Sequence, residues 1–276
     1  MLHLWIGRAG AGKTARVLET IKKNRTRRGQ ILIVPEHVSH EAEVALCHAL
    51  GDTASRNAEV LSLRNLSGRV LGEVGGLSDF TLDGGGKLLT MRMALQEVGS
   101  SLHVFNNPSR RAAFLEQLVA LVDELYAYEI PPQELYAQVQ DVPGQEGDKL
   151  RDVALLYAAY DARLRSGGRD ARSRVQKLRD ALPQASYLRG KDVYFDGFSY
   201  FNKTEEGILL TALTQAESVT VTLLGDRSAT EIFQNALRQR QRLVRMAQQT
   251  GCRCTMEFME PAGNTPLAHL EKYFFG

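Results

Sequence analysis

Eight residues near the start of the chain, Gly7-Arg8-Ala9-Gly10-Ala11-Gly12-Lys13-Thr14, constrain its fold more than any other stretch. They match G-x-x-x-x-G-K-[ST] in full. They lie between a short apolar run, residues 2–6, and a helical pattern over Lys13–Lys23 in which Ala15, Val17, Leu18 and Ile21 are apolar. Strand, glycine-rich turn and helix in that order are the setting in which such a loop cradles phosphate. Glycines let the backbone curl so that successive N–H groups point into one concavity. The helix that follows adds the positive end of its dipole. The spacing lets Lys13 reach the β- and γ-phosphates and offers the Thr14 hydroxyl to Mg²⁺. The motif therefore implies a nucleoside triphosphate, without specifying the base or the reaction. The alternative is a glycine-rich turn with a coincidental Lys-Thr.

A phosphate loop of this kind needs an acidic side chain at the end of a second strand to hold Mg²⁺. Val193-Tyr194-Phe195-Asp196-Gly197-Phe198 offers Asp196 after three apolar strand residues, at the carboxyl edge where open α/β sheets bind ligands. An ordinary turn aspartate beside Gly197 is the competing reading. ATP-driven motors place a glutamate directly after this aspartate to orient the attacking water, and here that position is Gly197. Glu205 and Glu206 come later, where they read as solvated charges at a helix start. The sequence supports nucleotide binding more firmly than hydrolysis.

Around these landmarks the first third alternates strand and helix. Residues 30–34 read as a buried strand stopped by Pro35, with Ser39 placed to cap a helix over 41–50. Residues 59–61 read as a strand and 64–71 as a helix. From Gly84 the pattern turns helical, with segments at 87–98, 110–128, 149–165 and 171–182. Alternation then returns: strand Asp192–Phe195, helix 204–213, strand Ser218–Leu224, helix 230–250, strand 252–258. The expected fold class is thus α/β, a parallel sheet domain (1–83 with 189–276) interrupted by an all-helical insertion (84–188). At 276 residues, 43% hydrophobic and 24% charged, the chain has enough apolar content for such cores and is not disordered.

The same composition closes off several functions. No apolar run reaches 18 residues, so no membrane helix is expected, and residues 2–6 are too short for a signal peptide. Thirty-four Lys and Arg against 32 Asp and Glu give a net charge of +2, too even to mark a nucleic-acid binder by bulk charge. Cys47, Cys252 and Cys254 form no disulfide framework or zinc pattern, which makes a reducing cytoplasm the expected location. Cys252 and Cys254 are read as small residues of one strand, and Trp5 as a core residue. The six histidines do not cluster. Basic clusters at 22–28, 163–174 and 238–242 could neutralise phosphates, but a solvated helix face explains each as well. The apolar ending Tyr273-Phe274-Phe275-Gly276 suggests that the natural polypeptide continues.

Taken in order, IGRAGAGKT, QILIVPEHVSHEAE, EVLSLRNLSGRVL and DVYFDGFSYFNKTEEGIL resemble the amino-terminal part of the AddB family, the B subunits of ATP-dependent helicase/deoxyribonucleases. The resemblance runs over almost the whole chain. It implies a RecA-like P-loop domain interrupted by a helical subdomain, as in superfamily 1 helicases, with ATP and Mg²⁺ as ligands. It implies single-stranded DNA contacts from His37 and Ser39 in the segment after the second strand, and from Ser62 and Arg64 after the third. It aligns Leu224-Gly225-Asp226-Arg227 with a segment that senses the γ-phosphate. It also implies a helicase–nuclease partner of the AddA type in a heterodimer acting on single- and double-stranded DNA in double-strand break repair.

Two departures stand out: Ala229 replaces the glutamine of that last segment, and Gly197 replaces the catalytic glutamate. No glutamine-bearing segment for adenine precedes the first strand. The motor of this subunit is thus expected to be degenerate, with unwinding left to the partner. The family's nuclease and iron–sulfur parts would lie beyond this stretch. Two other classes stay open from the residues alone: a scaffold module with a vestigial nucleotide site, and a free-standing P-loop kinase with the helical insertion as a lid.

Overall fold

The computed structural model describes residues 1–26, 29–51, 57–75, 82–106, 112–166, 173–227 and 233–260. Ala229, Arg27 and Arg28, residues 167–172 of the second basic cluster, Thr230 and the apolar ending lie outside the described residues. The chain divides into two compact units. One comprises Met1–Val74, Leu178–Phe201 and Glu205–Gly276; the other comprises Gly75–Lys177 and Asn202–Thr204.

The first unit is an α/β sheet domain. Its strands are β1 (Leu2–Gly7), β2 (Gln30–Ile33), β3 (Ala58–Leu61), β4 (Asp192–Phe195), β5 (Ser218–Leu224) and β6 (Cys254–Met259). They form one sheet in the order β3-β2-β4-β5-β1-β6, and every pairing is parallel. This is the α/β class read from the alternation, and it is consistent with a RecA-like domain. Helices α1 (Lys13–Lys23), α2 (Ser39–Leu50), α3 (Leu63–Val74) and α10 (Gln234–Gln249) connect or follow the strands. Parallel sheets need cover on both faces, so their inner strands read as continuous apolar runs. All four residues of β2 and all four of β4 are buried. Leu32, Val60 and Tyr194 of the sheet pack with Val17 and Ile21 of α1 and Leu46 of α2. Trp5 lies in that core, 8% exposed.

Among its described residues the second unit is helical: α4 (Gly84–Val98), α5 (Ala112–Ala127), α6 (Pro132–Val139) and α7 (Gly144–Ser166). Met91, Leu95, Leu118, Val122, Tyr157 and Tyr160 form its core. Each such side chain contributes about 1.5–3 kcal/mol on burial. Asp152 on α7 is 1% exposed and accepts hydrogen bonds from the backbone N–H groups of His103, Val104 and Phe105, at 2.9, 2.8 and 3.0 Å. Those three bonds hold its carboxyl below the usual aspartate range although burial pushes it up. Helices α8 (Arg174–Ala181) and α9 (Lys203–Gln215) each contribute residues to both units.

Several local expectations are corrected. The helix expected at 87–98 starts at Gly84, because the Asp83 side chain accepts the Gly86 N–H at 2.7 Å and caps the turn in spite of three glycines. Ser39 does not cap a helix from 41. It is the first residue of α2, and its hydroxyl donates to the Glu36 carbonyl at 2.9 Å. Cys252 stands outside β6, so the two cysteines do not share a strand. Helix α6 was not anticipated, although Pro132 occupies its first turn, where the missing N–H costs nothing.

Candidate functional site

Because the strands run parallel, the chain leaves them on one edge: Arg8 after β1, Val34 after β2, Ser62 after β3, Asp196 after β4 and Gly225 after β5. That is the edge where α/β sheets collect ligands. The eight-residue loop begins on the last residue of β1 and ends on the first two residues of α1.

Its glycines are required by the curl. Gly10 and Gly12 both have φ of +76°, a left-handed conformation that costs other L-residues about 1–2 kcal/mol. Gly7 is required by close approach, since a Cβ there would stand 2.8 Å from that of Ala11 and 2.9 Å from the Met259 carbonyl oxygen. Inside the loop the Ala11 N–H donates to the Arg8 carbonyl at 3.2 Å. Lys13 Nζ folds over the loop and donates to the carbonyls of Gly7 and Arg8, at 2.7 and 2.8 Å. Burial pulls the Lys13 ammonium below the usual lysine value, while the Asp196 carboxylate pulls it back up. The N–H groups of Lys13, Thr14 and Ala15 open α1 and have no acceptor further back in the helix. No acidic side chain occupies that first turn. The loop thus brings together a helix N-terminus and an ammonium.

Asp196 meets the end of this loop at Thr14. It is 5% exposed and accepts two hydroxyls, Thr14 Oγ1 on Oδ2 at 2.7 Å and Thr222 Oγ1 on Oδ1 at 2.5 Å. The first bond spans 182 positions of sequence and joins the start of α1 to the end of β4. Register explains the second. Phe195 pairs with Val221, so the next residues, Asp196 and Thr222, are neighbours. Thr222 was not anticipated; the signal was a threonine placed level with Asp196, one of two that alternate with valine in β5. Thr14 and Asp196 supply two hard oxygen donors, which could hold Mg²⁺, an ion that keeps several waters and takes phosphate oxygens for the rest of its shell. Among the described residues no group of three or more His, Cys, Asp or Glu is placed to hold a metal by itself.

A second bridge has no counterpart among the sequence expectations. Arg8, the first variable residue of the loop, points Nε and Nη2 at Asp226 Oδ2, at 3.1 and 2.8 Å. Its guanidinium also lies 5.8 Å from the centre of the Phe233 ring. Beneath it the Gly225 N–H donates to the Gly7 carbonyl at 3.2 Å. Since β5 lies between β1 and β4, Asp226 leaves the sheet between the loop and Asp196.

The residues for which the resemblance implies DNA contacts follow β2 and β3 further along the same edge. His37 and Arg64 are exposed. Ser39 spends its hydroxyl on the Glu36 carbonyl. Ser62 is 1% exposed, and its Oγ accepts the Asn65 N–H at 3.2 Å at the start of α3. Of the basic clusters, Lys22 and Lys23 close the last turn of α1, where they complement its dipole, and Arg242 pairs with Glu206 at 3.1 Å.

Residues 4–271 match the family described as ADDB, N-terminal. The chain is 34% identical to the B subunit of the ATP-dependent helicase/deoxyribonuclease of Pelotomaculum thermopropionicum, over 98% of this chain and 25% of the relative. It is 32% identical to the protein of that name from Moorella thermoacetica, over 99% of this chain and 26% of the relative. The Geobacillus thermodenitrificans protein of the same name is 32% identical, over 82% of this chain and 20% of the relative. The chain thus spans about a quarter of the length of such relatives. A family match over nearly every residue, with these identities beside it, settles the membership: the chain belongs to the AddB N-terminal family.

Proposed function

We propose that this chain is the ATP-binding, helicase-like amino-terminal region of the AddB-type subunit of a heterodimeric ATP-dependent helicase/exonuclease that acts on DNA in break repair and recombination. The observation that carries the reading is the hydrogen bond between Thr14 and Asp196, which joins the phosphate loop to the acidic strand end 182 residues away. In this reading the loop N–H groups and Lys13 hold the triphosphate of ATP. Thr14 and Asp196 would hold Mg²⁺, which would supply positive charge against the phosphates. Exposed His37 and Arg64 are the side chains available to single-stranded DNA. The AddA-type partner supplies the unwinding.

Hydrolysis by this chain alone is weak or absent. The position after Asp196 is Gly197, with φ of +81°, so a side chain that would orient water is missing there. A motor of this class also closes its nucleotide site with a second RecA-like domain, and the sheet unit of this chain is one such domain.

Calorimetric titration with ATP, with and without Mg²⁺, tests the reading alongside a phosphate-release assay. Expected are Mg²⁺-strengthened ATP binding and turnover far below that of a helicase motor. Absence of binding by any nucleoside triphosphate would overturn the nucleotide site and leave a docking scaffold. Transfer of phosphate to a small molecule would instead make the chain a kinase.

A further inference from the structure

We propose that the outer edge of β6, with the groove between β6 and α10, takes an extended segment of a partner protein as a further strand, its acidic side chains turned toward α10. Strand order carries the first half of the inference. β6 ends the sheet and, among the described residues, pairs only with β1. The Leu2 N–H donates to the Arg253 carbonyl at 2.9 Å, which sets the phase of the ladder. Alternation then turns the N–H and C=O groups of Cys254, Met256 and Phe258 away from β1. An edge of this kind is ordinarily guarded by lysine, proline or a bulge. Cys254–Met259 contains neither lysine nor proline. Its one charge, Glu257, is held by the Arg16 guanidinium at 2.5 and 2.7 Å. Met256 is 52% exposed.

The groove carries the second half. It is open, measures about 610 Å³ and lies within the sheet unit. Arg227, Arg240 and Arg245 line it together with Val244, Met256 and Phe258. The guanidiniums of Arg227 and Arg240 lie over the Phe258 ring, 5.6 and 5.8 Å from its centre. Among the described residues none of the three arginines makes an ion pair. Three like charges gathered in one groove repel one another, and carboxylates placed among them relieve the repulsion. An added strand alternates its side chains between the two faces of the sheet. Those level with Met256 and Phe258 come beside the arginines and are acidic in the partner. Those level with Glu257 meet an ion pair that is already closed and are uncharged. Backbone bonds supply affinity in such an addition, and the alternate side chains supply the choice of partner. A nucleic acid fits less well: a sugar–phosphate chain cannot continue the ladder, and the ring that could stack on a base is covered by guanidiniums.

The effect of each substitution follows. Arg240→Ala and Arg245→Ala should each weaken binding of an acidic strand about threefold, and together about tenfold, as separate exposed charges. Arg242→Ala removes an equal charge from the same helix, but one paired with Glu206, and should leave affinity within about twofold. Met256→Pro removes an outward N–H and leaves the bonds to β1 in place, since proline is tolerated on an edge where its nitrogen faces solvent. That variant should abolish binding.

The test is fluorescence anisotropy of a labelled peptide as long as β6, six residues of alternating Glu and Val, titrated with the 276-residue chain and these variants. Expected is saturable binding that falls with salt and is absent for the same peptide with Lys in place of Glu. The peptide is also N-methylated on each of its two alternate sets of amides, and the version methylated on the set facing β6 should lose binding. This arm uses the unmodified chain and so decides the edge where Met256→Pro gives no cooperative thermal melt. No saturable binding of the Glu peptide, or equal affinity for both N-methylated versions, would overturn the proposal. So would binding of labelled oligothymidylate in place of the peptide, lost in the arginine variants, which would make the groove a nucleic-acid surface. Concentration-dependent dimerisation of the chain, lost in Met256→Pro, would give the edge to a second copy and overturn it as well. Nucleotide plays no part in these titrations, so their outcome is separate from that of the phosphate loop.

Discussion

Two stretches of the same sheet edge use their polar side chains in opposite ways. Where β1, β5 and β4 end, side chains reach across sequence: Thr14 to Asp196, Thr222 to Asp196, Arg8 to Asp226. Where β2 and β3 end, hydroxyls are spent within three residues of themselves: Ser39 on Glu36, Ser62 on Asn65. A bond across the sheet holds two loops at a fixed distance and so can define a ligand-sized gap. A bond inside one turn finishes a helix end and leaves nothing to present. On this comparison the first stretch has the preorganisation that the proposed nucleotide site needs. The second offers exposed side chains, His37 and Arg64 among them.

The sharpest way to break the comparison is Lys13→Ala. It removes the only ammonium in the loop and should weaken ATP binding at least a hundredfold, read by calorimetry. Retention of binding within tenfold would mean that the crossing bonds are mere structure. Next in size is Asp196→Ala. Thr14 is exposed and can turn to water, but Thr222 is 3% exposed and loses the acceptor of its hydroxyl. A buried hydroxyl left unsatisfied costs about 1–3 kcal/mol, which a denaturant melt resolves. The same variant should also bind ATP equally with and without Mg²⁺. A full Mg²⁺ effect in that variant would move the metal away from Asp196.

Gly197 sharpens the comparison from another side. Its φ of +81° places it among left-handed conformations, and an added Cβ would sit 3.5 Å from Pro35 Cδ. Gly197→Glu should therefore cost about 1–2 kcal/mol through strain rather than through a clash. The glutamate would also sit on a backbone shaped for glycine, so phosphate release should stay slow. A large gain in turnover from this one change would mean that the missing carboxylate alone silences the chain.

The fold class could be read in advance because it rests on local pattern. Glycines after an apolar run, β2 and β4 without a polar break and the return of alternation after residue 188 each speak for a parallel sheet without knowledge of the partners. The loop and Asp196 were visible for the same reason, as a spacing and as a strand end. Strand order was not visible, since parallel neighbours are joined by long connections. The contacts that depend on order, Arg8 to Asp226 and Thr222 to Asp196, were hidden with it. Local misreadings came from competing caps. Asp83 extended a helix through three glycines, and Ser39 served the turn before its helix rather than the helix itself.

The smallest expected effects come from the β2 and β3 side, where they separate a cap from a contact. Ser62 accepts the Asn65 N–H at the start of α3, so Ser62→Ala should cost about 1 kcal/mol of stability. Its burial leaves it nothing to offer a nucleic acid, so affinity for single-stranded DNA should not move. Arg64, two residues on, is exposed. Arg64→Ala should leave stability within about 0.5 kcal/mol. It should weaken single-stranded DNA binding severalfold and reduce the dependence of log affinity on log salt by about 0.7, the slope carried by one phosphate contact. Fluorescence anisotropy with a labelled oligonucleotide over a salt series measures both. A loss of DNA affinity in Ser62→Ala at unchanged stability would reverse the assignment and make the buried hydroxyl, not the exposed charge, the part of this edge that DNA reads.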